Sequence, residues 1–285
     1  MNVRISRRDL LAGAALALAS GIGLPNPLVA ADEKRFRKAV KYHMIQDDSL
    51  SVLEKFQMLV DLGFDGVEIA TRDKVNQDTD AVLAARDETG LPIHGVVNSS
   101  NPDVRSAVDL SKLYGGTSVL VVAGRVNKET PYDENYRVWS DLLKENAPYA
   151  EDQGIRLLVE NVWNNFLLSP LEMAQFIDEI DSPVVGVYFD LGNVVRFGWP
   201  DQWIRILGPR IGKLDIKEYS RDLQQNEGLY KGFNVEIGEG DVDYPACLQA
   251  LDEIGFEGWA TAEVKGGGRE RLAEIAQRMD DALAL

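Results

Sequence analysis

Short apolar segments alternate with longer segments of helical periodicity from about residue 38 to residue 284. The candidate strands are Lys38–Met44, Gly66–Ala70, Pro92–Asn98, Ser118–Ala123, Ile155–Asn161, Val184–Asp190, Ile211–Lys217 and Gly258–Val264. The candidate helices lie near residues 49–62, 76–89, 102–114, 133–152, 169–179, 200–207, 244–254 and 268–284. Eight strand–helix units in about 250 residues predict an α/β protein with a single (β/α)₈ TIM barrel. A doubly wound open sheet is the alternative, but no glycine-rich phosphate loop follows the first strand.

Three residues are candidate helix caps. Ser49 precedes the apolar pattern of the first helix, Ser169 is followed by Pro170, and Asp243 lies two residues before Pro245. Serine and aspartate accept hydrogen bonds from free amides at a helix start, and proline fits the first turn. We therefore expect helices to begin at these residues.

The first 31 residues differ from the rest of the chain. A twin-arginine pair, Arg7 and Arg8, precedes an apolar stretch from Leu10 to about Leu24, and small residues follow at Ala30 and Ala31. This pattern predicts a twin-arginine export signal over residues 1–31 and a barrel domain over residues 32–285. A membrane anchor is the alternative, but the apolar stretch is shorter than the roughly 20 residues that a span needs. We expect export to the periplasm or the cell envelope.

The charge balance excludes one class of partner. The chain has 30 basic and 46 acidic residues, a net charge of −16. Removing residues 1–31, with three arginines and one aspartate, leaves about −18. Such a surface repels nucleic-acid phosphates and offers no polybasic patch for a membrane, so we expect neither as a partner beyond the export step. The single cysteine, Cys247, allows no internal disulfide and no cysteine-based zinc site.

Four acidic residues lie at the ends of the last four predicted strands: Glu160, Asp190, Asp215 and Glu263. Each follows apolar residues, and the strands of a barrel bring their carboxyl ends to one mouth. Carboxylates that converge in this way raise each other's pKa unless positive charge is nearby. The candidate sources of that charge are a divalent cation and a set of buried salt bridges with Lys217, Lys265 or Arg196. The pattern favours the cation.

Several segments, taken in this order, resemble the sugar phosphate isomerase/epimerase superfamily, the xylose isomerase-like TIM barrels. They are DLGFDGVEI (61–69), GIRLLVEN (154–161), GVYFDLGN (186–193), RIGKLDIKEY (210–219), IGEGDVDY (237–244) and IGFEGWATAEV (254–264). The resemblance implies one divalent metal bound by a Glu, an Asp, a His and a second Glu at the ends of strands five to eight. These positions carry Glu160, Asp190, Asp215 and Glu263, so an aspartate stands where the family usually has histidine.

The aspartate makes the predicted ligand set all-oxygen. Such a set favours a hard cation, with Mn²⁺ or Mg²⁺ expected and Ca²⁺ as a third candidate. Lys217 shares a strand face with Asp215 and can offset the additional negative charge. The rival interpretation is that the shorter Asp215 side chain does not reach the metal.

The resemblance also implies catalytic roles. In the family's epimerases, the two glutamates exchange a proton with the carbon next to a carbonyl, which assigns catalysis to Glu160 and Glu263.

The predicted substrate-binding residues are His94, Glu68, Trp163, Asn193, Arg196 and Lys217. His94 and Glu68 resemble family positions, and the two histidines, His43 and His94, are expected at the mouth with the carboxylates. Asn193 replaces a histidine that is frequent in relatives.

Three functions follow from these features. The first is a metal-dependent isomerase or epimerase of a keto-sugar or related carbohydrate, acting by α-proton abstraction and an enediolate. The second is a lyase or dehydratase of a 3-keto-glycoside or inosose, which begins with the same proton abstraction. The third is a non-catalytic carbohydrate-binding barrel of the envelope. The absence of a phosphate loop and the acidic chain favour an unphosphorylated substrate. A homo-oligomer is left open.

Overall fold

Eight parallel strands pair in chain order and close into a barrel, with the first strand against the eighth. The computed structural model describes residues 34–285. The strands are β1 (Phe36–Lys41), β2 (Gly66–Ala70), β3 (Ile93–Ser99), β4 (Ser118–Val121), β5 (Arg156–Glu160), β6 (Val185–Asp190), β7 (Ile211–Ile216) and β8 (Gly258–Ala262). The predicted (β/α)₈ barrel is confirmed.

Within residues 34–285, ten α-helices connect or flank the strands. They are α1 (Val52–Asp61), α2 (Thr79–Thr89), α3 (Val104–Tyr114), α4 (Tyr132–Gln153), α5 (Pro170–Ile180), α6 (Leu191–Val195), α7 (Pro200–Leu207), α8 (Arg221–Glu227), α9 (Tyr244–Glu253) and α10 (Arg269–Leu283). Short 3₁₀ turns occur at Tyr42–Met44, Lys74–Gln77, Gly208–Arg210 and Leu229–Phe233. All eight predicted helices are present. The sequence did not predict α6 and α8, because five and seven residues are too few for a helical period to stand out.

The predicted export signal lies outside the described residues. Within residues 34–285, no helix combines the length and the apolar character needed to cross a membrane.

Local capping explains where several helices begin. The hydroxyl of Ser169 accepts from the Glu172 amide, and the carboxylate of Asp243 caps α9, so both predictions are confirmed. The prediction for Ser49 was wrong by two residues. Ser51 caps α1 and forms a reciprocal capping box with Glu54, whereas Ser49 bonds to Asp47.

Alternation along β7 separates its two faces. Leu214 and Ile216 pack into the apolar core between the barrel and the helices. Lys213 and Asp215, on the other face, are also buried, at 3% and 0% exposure, and both bond to side chains of strands across the barrel. The closed barrel therefore turns alternate polar residues of a strand into its interior.

A shift of register occurs where β2 pairs with β3. Val67 lies opposite Ile93, but the next residue, Glu68, lies opposite Gly95, so His94 has no partner in this ladder. The ring of His94 stacks on Trp259 of β8, with centroids 4.4 Å apart. The irregularity allows His94 and the following Gly95 both to contact interior side chains, which strict alternation forbids.

The barrel interior contains a small apolar layer formed by Leu120, Leu158 and Tyr188. Replacing Leu158 by alanine should lower the free energy of unfolding by about 2–5 kcal/mol, because it leaves a cavity among side chains that cannot collapse. Urea denaturation followed by circular dichroism measures the change. The control is Leu171→Ala on α5, at a side chain that is 70% exposed, where we expect a change within about 0.5 kcal/mol. Equal losses in the two variants would contradict this account of the interior.

Candidate functional site

Four carboxylates meet at the carboxyl end of the barrel. Glu160 and Asp190 end β5 and β6, Asp215 is the penultimate residue of β7, and Glu263 directly follows β8. One oxygen of each carboxylate lies within 4.8 Å of one oxygen of every other. The strand register explains part of this arrangement, since Asp190 pairs directly with Asp215. The structure thus brings together the four residues that the sequence predicted. We refer to them as the carboxylate cluster.

Asp190 is held by a local network. Its Oδ1 accepts from the Asn193 amide and its Oδ2 from Asn193 Nδ2, both at 2.8 Å. The side chain of Asn161 bonds to the Asp190 backbone amide and carbonyl, also at 2.8 Å. Asp190 caps α6 through the bond that its Oδ1 accepts from the Asn193 amide. Asn193, predicted to bind substrate, therefore positions a carboxylate of the cluster.

Two lysines contact the cluster, of which Lys41 is buried and Lys217 is partly buried. Lys41 Nζ lies 2.9 Å from Asp215 Oδ2 and 3.0 Å from Glu263 Oε2. Lys217 Nζ lies 3.0 Å from Asp190 Oδ2 and 3.2 Å from the same Glu263 oxygen. The salt-bridge alternative named Lys217 correctly and missed Lys41. Of its other candidates, Arg196 stacks on Trp163. Lys265 forms no ion pair among the described residues.

Burial and charge shift the acidity of the cluster in opposite directions. Burial, and then the negative charge of Glu263, raises the pKa of Glu160 to about 8. Burial also raises the pKa of Asp215 well above its ordinary value, against the opposing charge of Lys41. Burial acts in the same sense on Glu263, but Lys217 and Lys41 hold the pKa of that carboxyl well below its usual range. The two lysines thus satisfy Glu263 more fully than they satisfy the other acids.

The donor set fits a hard divalent cation. When ionised, the four carboxylates exceed the two lysines by two negative charges, which one divalent cation neutralises. Asp215 Oδ1 is buried and has no hydrogen-bond partner among the described residues. An orphaned oxygen of this kind is costly in a protein interior, and a cation would satisfy it. All donors are oxygen, which suits Mg²⁺ or Mn²⁺ better than Zn²⁺.

A cavity of about 550 Å³ adjoins the cluster, and its lining includes Glu160, Glu263 and Lys217. Trp163 also lines it, donating from Nε1 to the Asn193 carbonyl at 2.7 Å. Arg196 lines a neighbouring cavity of about 490 Å³ to which Trp163 also contributes. Of the predicted substrate-binding residues, Lys217, Trp163 and Asn193 border the first cavity, and Arg196 the second. We refer to the first as the mouth cavity.

Glu68 and His94 do not border either of these cavities. Glu68 is fully buried in β2, and its Oε2 accepts from the Tyr188 hydroxyl at 3.2 Å. The same hydroxyl lies 2.9 Å from Thr261 Oγ1, which in turn lies 3.1 Å from His94 Nε2. Lys213 Nζ donates to His94 Nδ1 at 2.8 Å. These contacts form a chain of hydrogen bonds through the barrel interior.

The sequence-based expectation that His94 lies at the mouth of the barrel, with the carboxylate cluster, was wrong. His94 is the second residue of β3, and it contacts Lys213 and Trp259 near the beginnings of β7 and β8. It therefore lies toward the amino-terminal end of the barrel. His43 lies on the 3₁₀ turn after β1 and is exposed.

Sequence reasoning missed two further residues of this region. Lys41 ends β1 facing inward, but it is one of three basic residues in the strand FRKAVK, so the sequence did not single it out. Glu218 follows β7, and its carboxylate accepts from the amides of Tyr219, Gly238 and Val242, each at 3.0 Å. Glu218 thus fixes the loop that leads from β7 to α9. No local pattern distinguished it from a surface glutamate.

Adding Mn²⁺ or Mg²⁺ to metal-free protein should raise its melting temperature. A ligand present at 100 times its dissociation constant contributes about 2.7 kcal/mol to folding stability. Asp190→Asn should remove most of this rise, because it deletes a charge from the cluster. Asp141→Asn changes an exposed aspartate on α4 and should leave the rise unchanged. Differential scanning calorimetry with and without chelator makes the measurement, and a wild type that ignores millimolar metal would contradict the metal assignment.

The buried histidine should make stability depend on pH. Burial and the adjacent Lys213 ammonium lower the pKa of His94 well below its ordinary value. The ring stays neutral in the folded protein but takes up a proton on unfolding below about pH 6.5. Its contribution to stability is therefore full above about pH 6.5 and is lost as the pH falls toward the folded-state pKa.

The test compares the free energy of unfolding of wild type and His94→Gln between pH 7.5 and 5. One group contributes at most about 1.4 kcal/mol per pH unit to this slope. We expect a shallower slope in His94→Gln, and a smaller change in His43→Gln, because His43 is exposed. Equal slopes in wild type and His94→Gln would refute the prediction.

Comparison with known proteins adds sequence relatives to this geometry. An uncharacterized protein (MJ1311) of Methanocaldococcus jannaschii is 31% identical over 161 residues, 53% of this chain and 52% of that protein. The inosose dehydratase of Clostridium perfringens is 21% identical over 145 residues, covering 47% and 48%. The chain thus spans about half the length of these two relatives. The L-ribulose-5-phosphate 3-epimerase UlaE of Escherichia coli is 24% identical over 255 residues, covering 80% and 87%.

Solved structures share the fold. The 3-keto-D-glucoside 4-epimerase YcjR of E. coli superposes with a TM-score of 0.71 at 16% identity, covering 88% of this chain and 100% of that chain. A family model described as the xylose isomerase-like TIM barrel matches residues 56–283, most of the described barrel. With its closed eight-stranded barrel and its carboxylates at the ends of β5 to β8, this chain belongs to the xylose isomerase-like TIM barrel family.

Proposed function

We propose that this protein is a metal-dependent isomerase or epimerase of a keto-sugar, acting by proton abstraction next to a carbonyl. The observation that carries the proposal is the placement of Glu160 and Glu263. Their carboxyl oxygens lie within 4.8 Å of each other, and both residues line the mouth cavity. A substrate carbon held between two such groups can lose a proton to one and receive a proton from the other.

The chain's own residues divide the chemistry between them. One of Glu160 and Glu263 removes the proton from the carbon next to the carbonyl, and the electron pair of that bond moves into an enediolate. The other carboxyl group returns a proton to the opposite face or to the neighbouring carbon. Asp190 and Asp215, with the two glutamates, would hold the cation. The cation, Mn²⁺ or Mg²⁺ with Ca²⁺ as the third candidate, supplies positive charge that stabilises the developing oxyanion.

Lys217 and Trp163 are proposed to bind the sugar. Lys217 borders the mouth cavity and contacts Asp190 and Glu263, so its ammonium is placed to donate to a substrate oxygen. Trp163 lies in an aromatic cluster with Tyr230 and Phe233, and such rings pack against the apolar face of a sugar. Arg196, over the ring of Trp163, extends this surface.

A dehydratase or lyase is the second candidate. It begins with the same proton removal, after which the enediolate expels a leaving group instead of being reprotonated. The similarity to an inosose dehydratase favours keeping this alternative. The four carboxylates and two lysines serve either outcome, since the two reactions diverge only after the shared step.

Incubation with a keto-sugar and a 3-keto-glycoside in deuterated water separates the candidates. Deuterium in a recovered, intact sugar indicates isomerisation or epimerisation, and release of the leaving group indicates elimination. Glu160→Gln and Glu263→Gln should each lower the rate by about 10²–10⁴-fold, because each loses a proton-transfer group. Glu88→Gln, on the exposed face of α2, is the matched control and should retain the wild-type rate.

Absence of exchange and of elimination with every keto-sugar, in protein that retains its metal, would overturn the enzymatic proposal. A barrel that binds sugar without turnover, the third candidate, would then remain.

We further propose that the protein acts outside the cytoplasm on an unphosphorylated substrate. The twin-arginine pattern of residues 1–31 supports export. The net charge of −16 disfavours a phosphorylated sugar in the mouth cavity.

A further inference from the structure

A second cavity lies at the amino-terminal end of the barrel. Its volume is about 330 Å³, and its lining includes Arg37, Ser118, Arg156, Lys213 and Trp259. All five lie within the first three residues of their strands, whereas the carboxylate cluster lies at the other ends. The chemistry of the mouth cavity gives this second cavity no function. We refer to it as the basic cavity.

Three basic side chains converge on the basic cavity without carboxylate partners, and because burial lowers the pKa of Lys213 to about 7, the two arginines carry the fixed charge. Among residues 34–285, neither Arg37 nor Arg156 forms a salt bridge, and Lys213 Nζ donates to His94, at Nδ1 and at the carbonyl. Arg37 stacks on the ring of Trp259, with 4.5 Å between its guanidinium carbon and the ring centroid. Acidic residues outnumber basic ones by 46 to 30, so unpaired cations at one point are not a consequence of composition.

The cavity also contains a buried hydroxyl with nothing to bond to. Ser118 is 1% exposed, and its Oγ has no hydrogen-bond partner among the described residues. A Cβ placed on Gly95 would lie 2.8 Å from this oxygen and 2.9 Å from Lys213 Nζ. Both donors therefore reach the same small volume. A buried hydroxyl without a partner costs stability, and a ligand oxygen would satisfy it.

Two other glycines leave room for the arginine. A Cβ on Gly186 would lie 2.7 Å from one terminal nitrogen of Arg156, and a Cβ on Gly212 would lie 2.7 Å from the other. The guanidinium thus lies across the starts of β6 and β7 where any larger residue would displace it. The half-buried Arg156 is held in place by the shape of the barrel end, as a preorganised binding group requires.

We propose that the basic cavity is a binding site for a tetrahedral oxyanion, a phosphate or a phosphate group carried on a small metabolite. Arginine presents paired donors that match phosphate oxygens, and lysine and serine add single donors. The one carboxylate in the lining is Glu257, which is exposed and pairs with neither arginine. Nothing in the proposal depends on the reaction at the mouth cavity, because the two cavities lie at opposite ends of the barrel.

Isothermal titration calorimetry with inorganic phosphate, at ionic strength held constant with chloride, tests the proposal. Wild type should bind one phosphate in a saturable manner. Arg156→Gln should weaken binding by about tenfold or more, because a charge-assisted hydrogen bond is lost. Ser118→Ala should weaken it less. Arg137→Gln removes an exposed cation on α4 and should change nothing.

Two further variants keep the test decisive. Arg37 is exposed, so Arg37→Gln should fold even if Arg156→Gln does not, and it should also weaken phosphate binding. Asp190→Asn disables the carboxylate cluster and should leave phosphate binding intact. Loss of binding in Asp190→Asn, equal weakening in Arg137→Gln, or no saturable binding in wild type would each overturn the proposal.

The source of the oxyanion is resolved by a second titration. A hexose phosphate that binds more tightly than inorganic phosphate, and loses that advantage in Arg156→Gln, identifies a phosphorylated metabolite as the ligand. Tighter binding of inorganic phosphate identifies the free anion. Both results support the site, and binding of neither rejects it.

Discussion

The convergence of four carboxyl groups, three of them buried, at one end of a closed barrel is the constraint on which the rest of the site depends. Parallel strands in a barrel deliver their carboxyl ends to a common mouth, and here Glu160, Asp190, Asp215 and Glu263 arrive within 4.8 Å of one another. Such an arrangement is unstable without positive charge, because burial and mutual repulsion both oppose ionisation. Lys41 and Lys217 supply part of that charge, and the remaining deficit of two matches a divalent cation.

The barrel interior of this protein is polar over much of its length. The chain of contacts from Glu68 through Tyr188, Thr261 and His94 to Lys213 leads from beneath the cluster to the amino-terminal end. Buried polar groups are tolerated when they find partners, and these residues bond to one another, although Oε1 of Glu68 has no hydrogen-bond partner among the described residues. The apolar layer of Leu120 and Leu158 lies beside them. The interior thus separates two cavities of opposite character, one acidic and one basic.

Sequence periodicity predicted the barrel and the four carboxylates because both depend on local pattern. An acid after an apolar strand is visible in the sequence, and closure of eight units brings such acids together. His94 was misplaced because a register shift beside it changes which residues face inward, and register depends on the neighbouring strand. Lys41 was missed because its importance depends on Asp215, which lies 174 residues away along the chain. Glu218 was missed because the amides of Gly238 and Val242, which donate to its carboxylate, lie on a loop that only the fold brings near.

The strand KLDIKEY illustrates the division between what the sequence and the fold decide. Its alternation determined that Asp215 would share a face with Lys217, opposite Leu214 and Ile216, because successive side chains of a strand point to opposite faces. Only the tertiary structure decided which lysine pairs with Asp215. Lys41 of β1 takes that position across the barrel, while Lys217 bonds to Asp190 and Glu263. Periodicity fixes the face of a residue, but contacts between distant strands arise only when the barrel closes.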